Sequence, residues 1–171
     1  MNNKIEIVKQ LIGDYPPTFS VDYSPFRNCY AHALNCQYED RDFSTYTPGL
    51  IYANYNGSDF FDNGDYFFDY DLFIKLIKRD CSALSITASS FSFDSKLREG
   101  SCKIALSYSK ADNDFHFLRQ NSDGLWSHKP GFGSPSIRVK SEIIPYNGEK
   151  SIEIFGHSYK VFEFMELHKN F

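Results

Sequence analysis

Nowhere in the 171 residues do lysines or arginines gather into a block, and the formal net charge is −4. A nucleic-acid groove is therefore not expected, because phosphate binding needs a concentrated cationic surface. Long apolar runs are missing too, and none approaches the ~20 residues that a transmembrane helix requires. The opening residues, MNNKIEIVKQLIGDYPP, lack the apolar core of a secretory signal. The expectation is a protein that works in the cytoplasm or is secreted by a route without a Sec signal peptide. Cysteine is sparse as well. Cys29, Cys36, Cys81 and Cys102 form no Cys-x-x-Cys pair and no disulfide framework of the small secreted kind, so they read as reduced thiols.

What the chain has in abundance is aromatic residues, with seventeen Phe and twelve Tyr. Together with 42% hydrophobic and 23% charged residues, this is the composition of a globular, β-rich chain. The length suits one domain over residues 1–171, large enough to bury a core without cross-links. No motif implies a cofactor.

Apolar residues at Ile5, Val8, Leu11 and Ile12 have helical spacing, ended by Gly13 and the Pro16-Pro17 pair. The next segment, Asn28-Cys29-Tyr30-Ala31-His32-Ala33-Leu34, offers Asn28 as N-cap to residues that are small and apolar on nearly all sides. Such a helix belongs in the interior. Cys29 would be its first residue, where unpaired N–H groups and the helix dipole favour a thiolate. Residues 37–64 are polar, aromatic and turn-rich, which reads as a long loop forming a cleft wall or a surface excursion. Tyr70 to Cys81 is an amphipathic helix with Leu72, Phe73, Leu76 and Ile77 as its apolar stripe. Ser82 to Phe93 reads as an edge strand or loop. At the C-terminal end, Ser151–Phe155 and Tyr159–Leu167 read as strands, with His157 in the turn between them and His168 in the tail.

Between these elements lies the stretch that carries the chemistry. Lys103–Ser109, Phe115–Gln120 and Leu125–His128 read as three successive strands, and Asp123-Gly124 marks a hairpin between the last two. His116 sits inside the second strand and His128 closes the third, so one face of the pair can hold both imidazoles. Phe115 and Phe117 would point to the opposite face, leaving His116 beside Leu118. Two histidines on a rigid ladder suit a base and the group that orients it. Cys29 completes the set as nucleophile. In this scheme His116 deprotonates the thiol and later protonates a leaving amine, while His128 bonds its far nitrogen and fixes the tautomer. The Cys29 backbone N–H supplies one oxyanion donor, with Tyr23 or Asn28 as the second. Trp126 shares the face of His128 and can floor the site. A rival constellation is a zinc site from Cys29, His32 and Cys36, with His116 as fourth ligand. One short helix is an awkward frame for three such ligands. Asp112, Asp114 and Asp123 read as turn residues.

These residues carry a resemblance. A Cys heading a helix after Asn28 and before the bulky Tyr30, with His116 on a strand and His128 twelve residues on in the next strand, resembles the papain-like cysteine peptidase superfamily. Within it the pattern looks most like the relatives of the NlpC-type cell-wall peptidases. The resemblance implies an α+β fold, with N-terminal helices and the nucleophile-bearing helix packed on a C-terminal antiparallel sheet of about five strands. It also implies a thiol hydrolase cutting a peptide or amide bond through Cys29, His116 and His128. The substrate would be a peptide or a protein, such as a host target met by a bacterial effector or toxin. Glutamine deamidation and acyl transfer use the same thioester and stay open. The reading from a different class is a non-catalytic module that binds a protein through the aromatic loop at 46–68.

Overall fold

The computed structural model describes residues 28–34, 47–52, 69–120, 124–131, 136–138, 144–146 and 149–169. The helix expected at 3–12, Tyr23, Cys36 and most of the loop at 37–64 lie outside them. The described chain is α+β, an antiparallel sheet with few helices. Two helices lie wholly within the described residues, α1 (Cys29–Leu34) and α2 (Tyr70–Ala83), and residues 50–52 are helical as well. Eight strands follow: β1 (Ile86–Ser90), β2 (Ser101–Ser109), β3 (Asp114–Gln120), β4 (Trp126–His128), β5 (Ser136–Arg138), β6 (Ile144–Tyr146), β7 (Glu149–Ile154) and β8 (His157–Lys169). They form one sheet in the order β5-β4-β3-β2-β8-β7-β6, with β1 also pairing β8. Every pairing is antiparallel.

The sheet is larger than the five strands expected. β5 and β6 are three residues each, too short to show an alternating pattern, and Pro145 inside β6 argues against a strand on sequence grounds. Strand β8 is the spine. Its thirteen residues pair β2 along one side, and β7 and β1 at the two ends of the other. No helix among the described residues is long and apolar enough to cross a membrane.

Alternation along the strands sends side chains to two separate cores. One face packs against both helices: Ile104, Leu106, Phe117, Met165 and Leu167 of the sheet meet Tyr30, Leu34, Phe73 and Ile77. The other gathers Ala105, Leu118, Trp126, Ile152, Ile154, Tyr159, Val161 and Phe164. In β8 the odd-numbered Met165 and Leu167 face the helices, whereas the odd-numbered Tyr159 and Val161 face away. A β-bulge accounts for the change. Leu106 pairs with Glu163 but Ser107 with Val161, so Phe162 is the extra residue and the phase of the strand reverses there. Phe162 turns to the helix side and stacks on Tyr70 at 4.6 Å.

Helix α2 starts as its sequence dictates. Asp69 is the N-cap, its Oδ1 accepting from the Leu72 N–H at 2.9 Å. The helix buries Phe73, Ile77, Asp80 and Cys81, and runs on to Ala83, so Lys78 and Arg79 stand a turn short of its end. The exposed Leu72 does not belong to the buried stripe. Asp80 is fully buried, and three donors converge on it: Tyr30 Oη at 2.8 Å and the Gly49 N–H at 2.6 Å on Oδ2, and the Tyr52 N–H at 2.7 Å on Oδ1. One carboxyl thus joins α1, the 47–52 segment and α2.

Candidate active site

Helix α1 begins where Asn28 places it. Asn28 Oδ1 accepts from the N–H groups of Tyr30 and Ala31, each at 3.1 Å, and the Asn28 carbonyl takes the His32 N–H at 3.0 Å. All six helical residues are buried, as a helix apolar on nearly all sides should be. Three side-chain contacts fix it on the sheet. The Tyr30 ring meets Phe117 at 4.8 Å, His32 Nε2 bonds Ser127 Oγ at 3.0 Å, and Arg119 Nη1 donates to the Ala33 carbonyl at 3.0 Å.

Cys29 is therefore held at the helix start beside β3. Strand β4 covers β3 only at Leu118, Arg119 and Gln120, and the thiol comes to the part of β3 beyond that pairing. Cys29 Sγ is 4.0 Å from the Phe115 carbonyl and interacts with the Phe117 backbone N–H. Those two peptide groups flank His116, so the thiol meets the backbone on both sides of the candidate base.

The imidazoles themselves project to the face away from the helices. His116 pairs with Ser107 across β2, and Leu118 with His128 across β4, which places both histidines on the Leu118 face. There His116 Nε2 and His128 Nδ1 are 2.8 Å apart, with the rings edge to face at 4.9 Å. Both residues are buried. Across such a contact one nitrogen donates and the other accepts, so the pair cannot hold two imidazolium ions without losing the bond. If His116 carries its proton on Nε2, it donates to His128 and presents Nδ1 as the basic nitrogen. A proton gained at Nδ1 leaves the His116–His128 bond intact.

The ionisation of Cys29 differs from the sequence expectation. Burial pushes its thiol up to about 12, against the lowering effect of the Phe117, Tyr30 and Cys29 backbone N–H groups, and the nearby Asp114 adds to the rise. Cys29 is only 5% exposed, and desolvation of a charge outweighs what a six-residue helix supplies. The resting group is a neutral thiol.

The remaining predicted residues separate. Asn28 Oδ1 is committed to capping. Trp126 shares the histidine face but is fully buried, stacked on Phe93 at 6.1 Å and tilted against Phe164 at 5.9 Å, so it floors the face from within the core. Tyr23 lies outside the described residues. The zinc set is divided, because His32 bonds Ser127 on the helix side while His116 lies on the other face. His157 is exposed but bonds Asp112 at 2.8 Å, and His168 lies within β8, with Nδ1 3.0 Å from Ser101 Oγ. Asp114 is not a turn residue; it opens β3.

Tyr159 was not legible as a site residue. Its ring lies 5.6 Å from that of His116, and its hydroxyl donates to Asp114 Oδ2 at 2.8 Å. Only the bulge at Phe162 brings it to this face, and a one-residue irregularity leaves no mark in a strand pattern rich in aromatics. Compared with protein-family models, curated proteins and solved structures, the chain finds no match.

Proposed function

We propose that the chain is a papain-like thiol hydrolase of peptide or amide bonds, with Cys29 as nucleophile, His116 as general base and acid, and His128 as the group that orients His116. The observation that carries this reading is the buried 2.8 Å bond from His116 Nε2 to His128 Nδ1, next to a thiol seated on the peptide groups either side of His116. In the reaction the S–H bond breaks as a proton passes to His116 Nδ1, and the sulfur attacks the carbonyl carbon. The proton is then given to the leaving amine, and water hydrolyses the thioester through the same imidazole. His128 accepts from Nε2 throughout, so no reorientation accompanies the transfer. Because the resting thiol is neutral, His116 acts as a true base at each turnover. Glutamine deamidation follows the same steps with ammonia as leaving group, and acyl transfer replaces water by an amine.

The test is alkylation of Cys29 by iodoacetamide, followed by peptide mapping between about pH 5 and pH 9, on wild type, His116→Ala and His128→Ala. A Cys29 rate that rises through the imidazole range and falls at least roughly tenfold in His116→Ala supports a thiol–imidazole site. Labelling with an ordinary thiol profile that ignores both substitutions refutes it.

A second reading, the binding module, is favoured by one observation. Tyr52, Ile74, Lys75, Lys78 and Arg79 line an open groove of about 510 Å³ on the outer side of α2, with the Arg79 guanidinium 5.6 Å from the Tyr52 ring centre. If Cys29 proves inert, this groove becomes the leading functional surface.

A further inference from the structure

Three polar side chains around the start of β3 have no part in the transfer just described: Tyr159, Asp114 and Asp112. The β8 bulge brings Tyr159 to the histidine face, where it is 6% exposed. Its ring packs against His116 and its hydroxyl holds Asp114 Oδ2. Asp114 is exposed and would otherwise be free to turn into water, as carboxylates at strand ends do. Asp112 is held separately, by Ser109 Oγ at 2.5 Å and His157 Nδ1 at 2.8 Å.

Resting on the thiol-hydrolase reading, we infer that Tyr159 is a positioning residue: its hydroxyl keeps the Asp114 carboxylate on the histidine face, where the negative charge holds Cys29 as a thiol until His116 takes the proton. The charge acts differently on the two forms of the site. A lone thiolate is repelled by Asp114, whereas a thiolate formed together with an imidazolium beside that carboxylate is compensated. The site is thereby guarded against stray alkylation and oxidation while the transfer to His116 stays open. One effect supports the geometry: Asp114 raises the Cys29 thiol, after the larger contribution of burial. The titratable groups that face this cluster are Asp112 in the β2–β3 turn, Asp114 and His116 on β3, His128 on β4, His157 and Tyr159 on β8, and Cys29 on α1.

The experiment is a double-mutant cycle on the iodoacetamide labelling rate of Cys29 at pH 7, with Asp114→Asn, Tyr159→Phe and the double variant. Both substitutions conserve shape, and near-ultraviolet circular dichroism reports whether the fold is kept. For a thiol far above the ambient pH, each unit by which its pKa falls raises the labelling rate tenfold. Asp114→Asn is expected to speed labelling roughly threefold to tenfold, a shift of about half a unit to one unit. Tyr159→Phe should do the same to a smaller degree, and the double variant should match Asp114→Asn alone. Multiplicative effects, or a Tyr159→Phe rate equal to that of wild type, overturn the role given to Tyr159. An unchanged Asp114→Asn rate overturns the role given to the charge. If labelling is also indifferent to His116→Ala, the thiol-hydrolase reading falls instead; a His116-dependent rate that ignores Asp114 and Tyr159 leaves that reading standing and removes only this inference.

Discussion

Asp80 gives the sharpest test of how the candidate nucleophile helix is held. The perturbation is Asp80→Asn, which keeps the shape and removes one acceptor. Three donors meet two oxygens: Tyr30 Oη and the Gly49 N–H on Oδ2, and the Tyr52 N–H on Oδ1. The asparagine amide must face one of these donors with an N–H of its own. The least costly choice keeps its oxygen at the Oδ2 position and turns the NH2 group toward the Tyr52 N–H, so one donor loses its acceptor. That costs about 1–3 kcal/mol.

The pH dependence adds a sign. Burial, the largest influence, raises the Asp80 carboxyl from its ordinary 3.8 to about 6, against the lowering effect of the Tyr52, Gly49 and Tyr30 bonds. The folded state therefore holds the proton more tightly than the unfolded state. The associated stability is fully present below about pH 4 and is lost as pH rises through about 6. At about 1.4 kcal/mol per pH unit the change is about 3 kcal/mol. The assay is urea unfolding of both proteins at pH 4, 5, 6 and 7, taken as a difference so that groups common to both cancel. The variant should be the less stable at pH 4, by about 1–3 kcal/mol, with the gap narrowing as pH rises and closing or reversing by pH 7. A gap that widens with pH would refute the reasoning, because it would mean that the three donors hold an ionised carboxylate and outweigh burial.

Other perturbations follow from the same contacts. Arg119→Ala removes the buried guanidinium that donates to the Ala33 carbonyl, and should cost about 3 kcal/mol in urea unfolding through the lost bond and packing. Glu166 is buried, which raises its carboxyl, but the Arg98 side chain and backbone hold it below the usual range overall. Its contribution is present above the ordinary carboxylate value and lost as the solution becomes more acidic, so Glu166→Gln should destabilise at pH 7 and much less near pH 3 when melting temperatures are compared. In hydrolysis of a peptide library, His128→Ala should lower kcat less than His116→Ala does, since the orienting group is less essential than the base; equal losses would assign the two imidazoles one shared role.

Much of this layout was legible because it depends on local rules. Asn28 followed by a small apolar run specifies a capped, buried helix, and the Asp-Gly turn with alternating Phe115, His116, Phe117 and Leu118 specifies which face each side chain takes. Asp80 was hidden because a charged residue at the polar end of an amphipathic pattern reads as solvated; its burial depends on donors from residues 28 to 50 positions away. The ionisation of Cys29 was misjudged for a related reason. A helix start favours a thiolate only when water or a cation also reaches it, and the depth of the 29–34 helix under the sheet is a property of the whole packing.

The position of Cys29 also decides what kind of thiol chemistry the fold can support. A pre-formed thiolate–imidazolium pair needs the sulfur solvated or close to a fixed cation, and here it is buried against backbone with Asp114 among its neighbours. Reaction must then begin from thiol and neutral imidazole, which ties labelling to the protonation of the histidine pair. The first proton that acidification adds goes to His116 Nδ1, which removes the basic nitrogen and keeps the 2.8 Å contact; only a further proton, on His128 Nδ1, sets two N–H donors against each other there. The Cys29 labelling rate should therefore fall on the acid side as a single-proton titration, with the loss of the His116–His128 bond visible only at lower pH as a change in the imidazole nitrogen shifts by NMR. Nitrogen shifts that show no bond between the two rings where labelling is fast would mean that His128 is a packing residue rather than the group that orients the base.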